Sequence, residues 1–150
     1  MHLAHFYPLL PEKIATHFDI NDTPNGWMTR DGFAQFYIGF LAFTAGVFLG
    51  TAGLVAKLPK LVNIPNKNYW MAPERQAASI SGLRRAMTCL GAFIGLGIIA
   101  VHHLVIATCL KDKPVLDNSA FFVCVGALIA GILGFTLWSY LRFRKPSPSA

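Results

Sequence analysis

Three stretches of this chain carry no formal charge: those between Asp31 and Lys57, between Arg85 and Lys111, and between Asp117 and Arg142. A helix rising ~1.5 Å per residue needs about 20 apolar residues to cross a hydrocarbon core ~30 Å thick. Phe33–Ala56 offers 24, Ala86–Leu110 offers 25 and Ala120–Leu141 offers 22, so each is long enough to span with a slight tilt. Buried helices of a soluble bundle keep a polar stripe, and these stretches have none. Only 13% of the residues are charged, against roughly 25% in soluble domains. The expected fold is therefore an all-α integral membrane protein of three transmembrane helices. This excludes a soluble enzyme, an RNA-binding domain and a disordered tail protein, even though the net charge is +6.

Lys and Arg collect in short cytoplasmic loops, so their placement predicts orientation. The segment 1–32 has Lys13 and Arg30 beside four acids, and the loop 111–119 has Lys111 and Lys113 balanced by Asp112 and Asp117. The loop 57–85 carries six basic residues against Glu74, and the tail 142–150 adds Arg142, Arg144 and Lys145. Nine basic residues thus fall on one side and four on the other. The expected topology is N-terminus outside and C-terminus inside a bacterial cytoplasmic membrane. Spans of 33–56, 86–110 and 120–141 would then flank an inner loop with a short interfacial helix. Arg84–Arg85 and Arg142–Arg144 sit at span ends, where such side chains reach anionic headgroups. A nucleic-acid surface would need a contiguous basic patch interleaved with aromatics, so none is expected. Met1–Leu10 has neither a basic leader nor a hydrophobic signal core. The expectation is that the first span translocates the tail or that a signal or helix precedes it.

The outer segment is dense in turn residues. Thr23-Pro24-Asn25-Gly26 is expected to form a tight turn, because proline presets φ at the second position and Asn-Gly accepts the backbone geometry of the next two. Ile14, His17 and Phe18 fit an extended stretch or one helical turn equally well. Trp27 is expected at the membrane interface. His2 and His5 have the spacing of one helical face, but convergence with His17, Asp19 and Asp22 would depend on tertiary folding, and no metal site is expected. A calcium loop starting at Asp19 fails, because Pro24 stands where glycine is needed and Arg30 where glutamate is needed. Cys89, Cys109 and Cys124 all fall inside expected spans, and an odd count gives no disulfide framework.

Leu10-Pro11-x-x-Ile14-x-x-His17-Phe18-Asp19, followed by Pro24-Asn25-Gly26-Trp27, resembles the signature of the bacterial membrane family catalogued as domain of unknown function 1648. The loop stretch Asn63-Ile64-Pro65-Asn66-Lys67-Asn68-Tyr69-Trp70, with Pro73-Glu74-Arg75, is similar to that family's second recurring segment. The resemblance implies a small multispanning protein whose contact residues include Pro11, His17, Phe18, Pro24, Gly26, Trp27, Tyr69, Trp70, Glu74 and Arg75. Some relatives carry a further domain similar to an immunity and signalling protein. Where the family usually has glycine before the turn, this chain has Asp22, a residue that tolerates left-handed geometry. The family's usual helix before the Leu-Pro motif is not in this stretch, and no immunity domain follows the third span.

In the inner loop, Pro73 is suited to the first position of a helix leading into the second span, and Tyr69 and Trp70 to the interface. Glu74 and Arg75 are expected to form a solvated pair, with partner docking as the alternative.

Small residues four apart let helix backbones approach in lipid. Gly46 and Gly50 follow Ala42 in the first span, Gly91 and Gly95 lie in the second, and Gly126, Ala130 and Gly134 lie in the third, beside Ala127 and Gly131. These faces are expected to pack, within the chain or against partners. Apart from cysteine and tyrosine, the titratable residues inside the spans are His102 and His103. His102 shares a face with Gly91, Gly95 and Cys109, so it is the better candidate to face other helices, whereas His103 shares one with Ala92 and Leu96. A membrane histidine needs a partner. The simplest is a hydroxyl or carbonyl of a neighbouring helix, and the sharper reading is a cofactor site for haem or (bacterio)chlorophyll. The sequence contains no nucleophilic triad arrangement, phosphate loop, CxxC motif or intramembrane carboxylate pair. The expected function is a non-catalytic accessory subunit docked on other membrane subunits, with an outer sensor of signalling or immunity type, or a pigment-binding subunit, as alternatives.

Overall fold

The computed structural model describes residues 2–144, so Lys145 and the rest of the expected tail lie outside the described residues. The chain runs α1 (His2–Phe6), a single 3-10 turn (Tyr7–Leu9), β1 (Lys13–Phe18), β2 (Pro24–Thr29), α2 (Arg30–Lys57), a second 3-10 turn (Pro59–Leu61), α3 (Lys67–Trp70), α4 (Pro73–Cys109) and α5 (Asn118–Arg142). The helices α2, α4 and α5 contain the three charge-free stretches and are long and apolar enough to cross a membrane. None of α5 is buried. A helix that is apolar all round and only partly covered by its own chain has the rest of its hydrophobic surface matched to lipid or to another protein.

Helix ends follow local chemistry. The Thr29 hydroxyl accepts the Gly32 N–H at 3.1 Å at the start of α2, and the Asp117 carboxylate accepts the Ala120 N–H at 3.0 Å at the start of α5. Pro73 opens α4, where its missing N–H costs nothing.

The expected all-α fold needs one correction: β1 and β2 pair as an antiparallel hairpin. Prolines at 11 and 24 disfavour a helix through this segment, while β-branched Ile14 and Thr16 favour an extended backbone. The expected turn is also displaced. Pro24, Asn25 and Gly26 are strand residues, and the chain reverses over Ile20-Asn21-Asp22. There the Asp22 N–H donates to the Asp19 carbonyl at 3.0 Å, and the Asp19 N–H donates to the Thr23 carbonyl at 2.9 Å. The Asp19 carboxylate accepts the N–H groups of Asn21 and Thr23, both at 2.9 Å. These bonds outweigh the preference of Pro-Asn-Gly for a turn. Asp22 has φ 61°, the left-handed position of a three-residue hairpin loop.

Two compact units arise, one of Met1–Phe43 with Gly95–Leu128 and one of Thr44–Ile94 with Ile129–Ala150. The core of the first is Leu10, Ile14, Phe33 and Ile106, which joins the hairpin to α2 and α4. The core of the second is Val62, Leu83 and Phe143, with Val55, Ile64, Trp70 and Met71 packed against it.

Within the chain, packing through the small-residue faces is seen at only some of the expected positions. Of the expected packing glycines, Gly91 and Gly131 are in close contact: a Cβ on Gly91 would lie 2.6 Å from the Phe48 Cβ, and one on Gly131 would meet the Phe93 ring. Beside Gly46, Gly50, Gly95, Gly126 and Gly134 there is open space, and Ala130 is exposed. A further close seat is Gly97, against the Leu128 side chain. Large side chains set into single glycines do the packing here. A large side chain fills a hole directly, so the two helix backbones need not approach.

Candidate functional site

In the first unit the Leu-Pro motif and the hairpin build a platform for a histidine and tyrosine cluster. Leu10 and Ile14 are buried against Phe33 and Ile106. The Arg30 N–H donates to the Glu12 carbonyl at 2.9 Å. Its guanidinium lies 5.1 Å from the Tyr7 ring centre and reaches the Leu10 carbonyl at 3.4 Å. The Tyr7 hydroxyl donates to the Asp31 carboxylate. That hydrogen bond raises the Tyr7 pKa, because ionisation would set a phenolate beside a carboxylate.

His17 pairs with Gly26 across the hairpin, at the irregular part of its register. A Cβ on Gly26 would lie 2.9 Å from the Cβ of His17, so the glycine of the motif is there for close approach. Gly26→Ala is expected to cost about 2 kcal/mol of stability through this overlap, read from denaturant melts in detergent. Adding His17→Gly should restore most of it. The other outer motif residues mark surface: Pro11 and Trp27 are exposed, and Phe18 and Pro24 are half-buried. The Asp22 carboxylate accepts from the Asn118 side-chain amide, which ties the hairpin loop to the start of α5.

Between α1, α2 and α4 the polar groups form a chain. The Tyr37 hydroxyl donates to His2 Nδ1 at 3.1 Å, and His2 Nε2 donates to His103 Nδ1 at 3.2 Å, in the tautomer that satisfies both contacts. His102 stacks on Tyr37 with ring centres 4.3 Å apart and planes 13° apart, and the Phe33 and Phe36 rings lie 5.6 and 6.0 Å away. As expected, His102 is the buried member of the pair, with 8% exposure. Its hydrogen-bond partner differs from expectation: Nδ1 donates at 2.8 Å to the carbonyl of Ile98, four residues back on the same helix. A cavity of about 600 Å³ opens beside this cluster, lined among others by His2, Tyr37 and Ile99 but not by His102.

Sequence reasoning missed His2, Tyr37 and His103 as a group. The available signal was polarity: Tyr37 and His103 sit inside stretches that must satisfy every polar group internally, which predicts that they find partners.

Burial lowers the pKa of His2, and the neighbouring His103 ring lowers it further. Neutral His2 is therefore favoured by the fold. Its contribution is complete above the ordinary value of about 6.5 and is lost as pH falls through the depressed value. Amide exchange over residues 2–9, corrected for intrinsic rates, is expected to accelerate as pH falls below about 6.5. His2→Gln should remove most of that pH dependence.

The second unit holds the inner-loop motif in a clamp on the end of α5. Asn66 Nδ2 and Trp70 Nε1 both donate to the Phe143 carbonyl, at 3.0 and 2.8 Å. The Trp70 and Phe143 rings meet edge to face at 5.7 Å, and the Arg142 guanidinium lies 5.0 Å from the Trp70 ring centre. The Ser79 hydroxyl donates to the Trp70 carbonyl at 2.9 Å. Trp70, expected at the interface, caps the end of α5. The expected Glu74–Arg75 pair does not form either. Arg75 donates to the Tyr69 carbonyl at 2.9 Å and lies 4.0 Å from the centre of the Tyr69 ring, while Glu74 is exposed.

Three apolar spanning helices make this a multi-pass membrane protein. Residues 1–43 match the family model described as Domain of unknown function (DUF1648), so the N-terminal resemblance holds over the hairpin and the first turns of α2. The inner-loop segment lies beyond the matched residues. No curated protein and no solved structure gives a significant match.

Proposed function

We infer that this chain is a non-catalytic accessory subunit that docks on another membrane protein through the glycine-bearing faces of α2 and α5. The observation that carries this reading is the unused glycine. Gly46 and Gly50 on α2, and Gly126 and Gly134 on α5, have open space where a side chain would be. Each costs a helix roughly 1 kcal/mol relative to alanine, and none returns this as packing within its own unit. Ala42 and Ala130 extend the two faces at four-residue spacing and are also exposed. Lipid chains cover large side chains as well as small ones, whereas a second helix backbone gains from a glycine face.

The orientation belongs to the same reading. Nine of the thirteen basic residues lie in 57–85 and 142–150, which supports those segments being cytoplasmic and the hairpin lying outside a bacterial inner membrane. Extraction in mild detergent tests the docking: a second polypeptide is expected to co-purify in fixed ratio, and a lone chain would contradict it.

A further inference from the structure

We propose that the second unit binds one anionic phospholipid, with an acyl chain in the cleft between α4 and α5 and its phosphate held by Arg85 and Arg142. The cleft has a volume of about 390 Å³, within the range of small-ligand cavities. Its walls are apolar, with Gly82 and Ala86 on α4 and Phe135 and Trp138 on α5, and both Arg85 and Arg142 line it.

The charges sit where a headgroup would be. The second charge-free stretch begins directly after Arg85, and the third ends directly before Arg142. Both cations therefore mark the boundary between hydrocarbon and headgroup, and a ligand entering the cleft at that depth comes from the bilayer. Among the described residues of this unit, eight Lys and Arg stand against one carboxylate, Glu74. Neither Arg85 nor Arg142 has a carboxylate partner among the described residues. Arg142 is held in place by its contacts with the Trp70 and Phe143 rings, so its charge is positioned before any ligand arrives. A bilayer supplies molecules with an apolar chain and a phosphate in that order, and two arginines suit the phosphate.

Cys89, a free and exposed thiol, lines the same cleft one turn beyond Arg85 and reports occupancy. The intact protein, stripped of lipid in neutral detergent, is alkylated in the presence of phosphatidylglycerol or of phosphatidylcholine with matched chains. Modification at each cysteine is read by mass spectrometry. Phosphatidylglycerol is expected to slow Cys89 several-fold and to leave Cys109 and Cys124 unchanged, with phosphatidylcholine having little effect. Arg85→Gln should abolish the difference between the lipids. Gly82→Leu should abolish it too, since it fills the cleft where nothing lies within 4 Å and does so at a position where leucine favours the helix. Equal protection by both lipids, full protection in Arg85→Gln or Gly82→Leu, or protection by inorganic phosphate alone would overturn the proposal.

Discussion

Replacing Trp70 with alanine is expected to destabilise the protein by about 3 kcal/mol, near the low end for removing a packed tryptophan because this ring is only half-buried. The loss has two parts that milder variants separate. Trp70→Phe keeps an aromatic ring against Phe143 and under Arg142 but removes the indole N–H. It should cost about 1 kcal/mol, because the Phe143 carbonyl still accepts from Asn66. Asn66→Gly removes the other donor without straining the backbone, since Asn66 has φ 51° and glycine adopts that geometry freely. It should also cost about 1 kcal/mol. The double variant leaves the carbonyl without either donor and should cost more than the sum of the two singles. Denaturant melts in detergent measure all four. Additive effects would show that the two donors do not act on one shared acceptor.

Gly126→Leu with Gly134→Leu is the second large effect expected, and its size lies in association. Within the chain a side chain at either position meets open space. The isolated subunit should therefore melt at the same temperature or higher, since glycine is the poorer helix former by up to about 1 kcal/mol per site. The face itself would be lost. Two leucines hold a neighbouring helix away from the backbone of α5 and forfeit the packing that glycine permits, so recovery of the partner should fall at least tenfold, equivalent to about 1.4 kcal/mol. Ile129→Leu is the control: Ile129 is exposed on the same helix about 100° around from Ala130, and it should leave recovery unchanged.

The sequence made the spanning helices legible because membrane crossing is a requirement on continuous length and charge, and both are local. The start of α4 at Pro73 and the left-handed Asp22 were legible for the same reason: one residue's own backbone preference decides each. The hairpin turn was misplaced because two local signals competed. The Asp19 carboxylate prevailed over Pro-Asn-Gly through hydrogen bonds whose partners could not be ranked from propensities. Trp70 and Phe143 lie 73 residues apart and His2 and His103 lie 101 apart. No periodicity or spacing encodes such pairs. Glycine spacing was legible as a pattern, but which glycines receive a neighbour inside the chain depended on where Phe48, Phe93 and Leu128 fall in three dimensions.

We infer that another protein covers the glycine-bearing faces of α2 and α5, where Gly46, Gly50, Gly126 and Gly134 meet open space. Native mass spectrometry tests it most directly, on the full chain released from its own membrane in mild detergent, beside the Gly126→Leu, Gly134→Leu variant. The expected result is a discrete mass for the wild type that contains one different polypeptide in fixed ratio, and a bare folded subunit for the variant. A wild-type chain that emerges as a lone monomer, or as a dimer of itself, would contradict it.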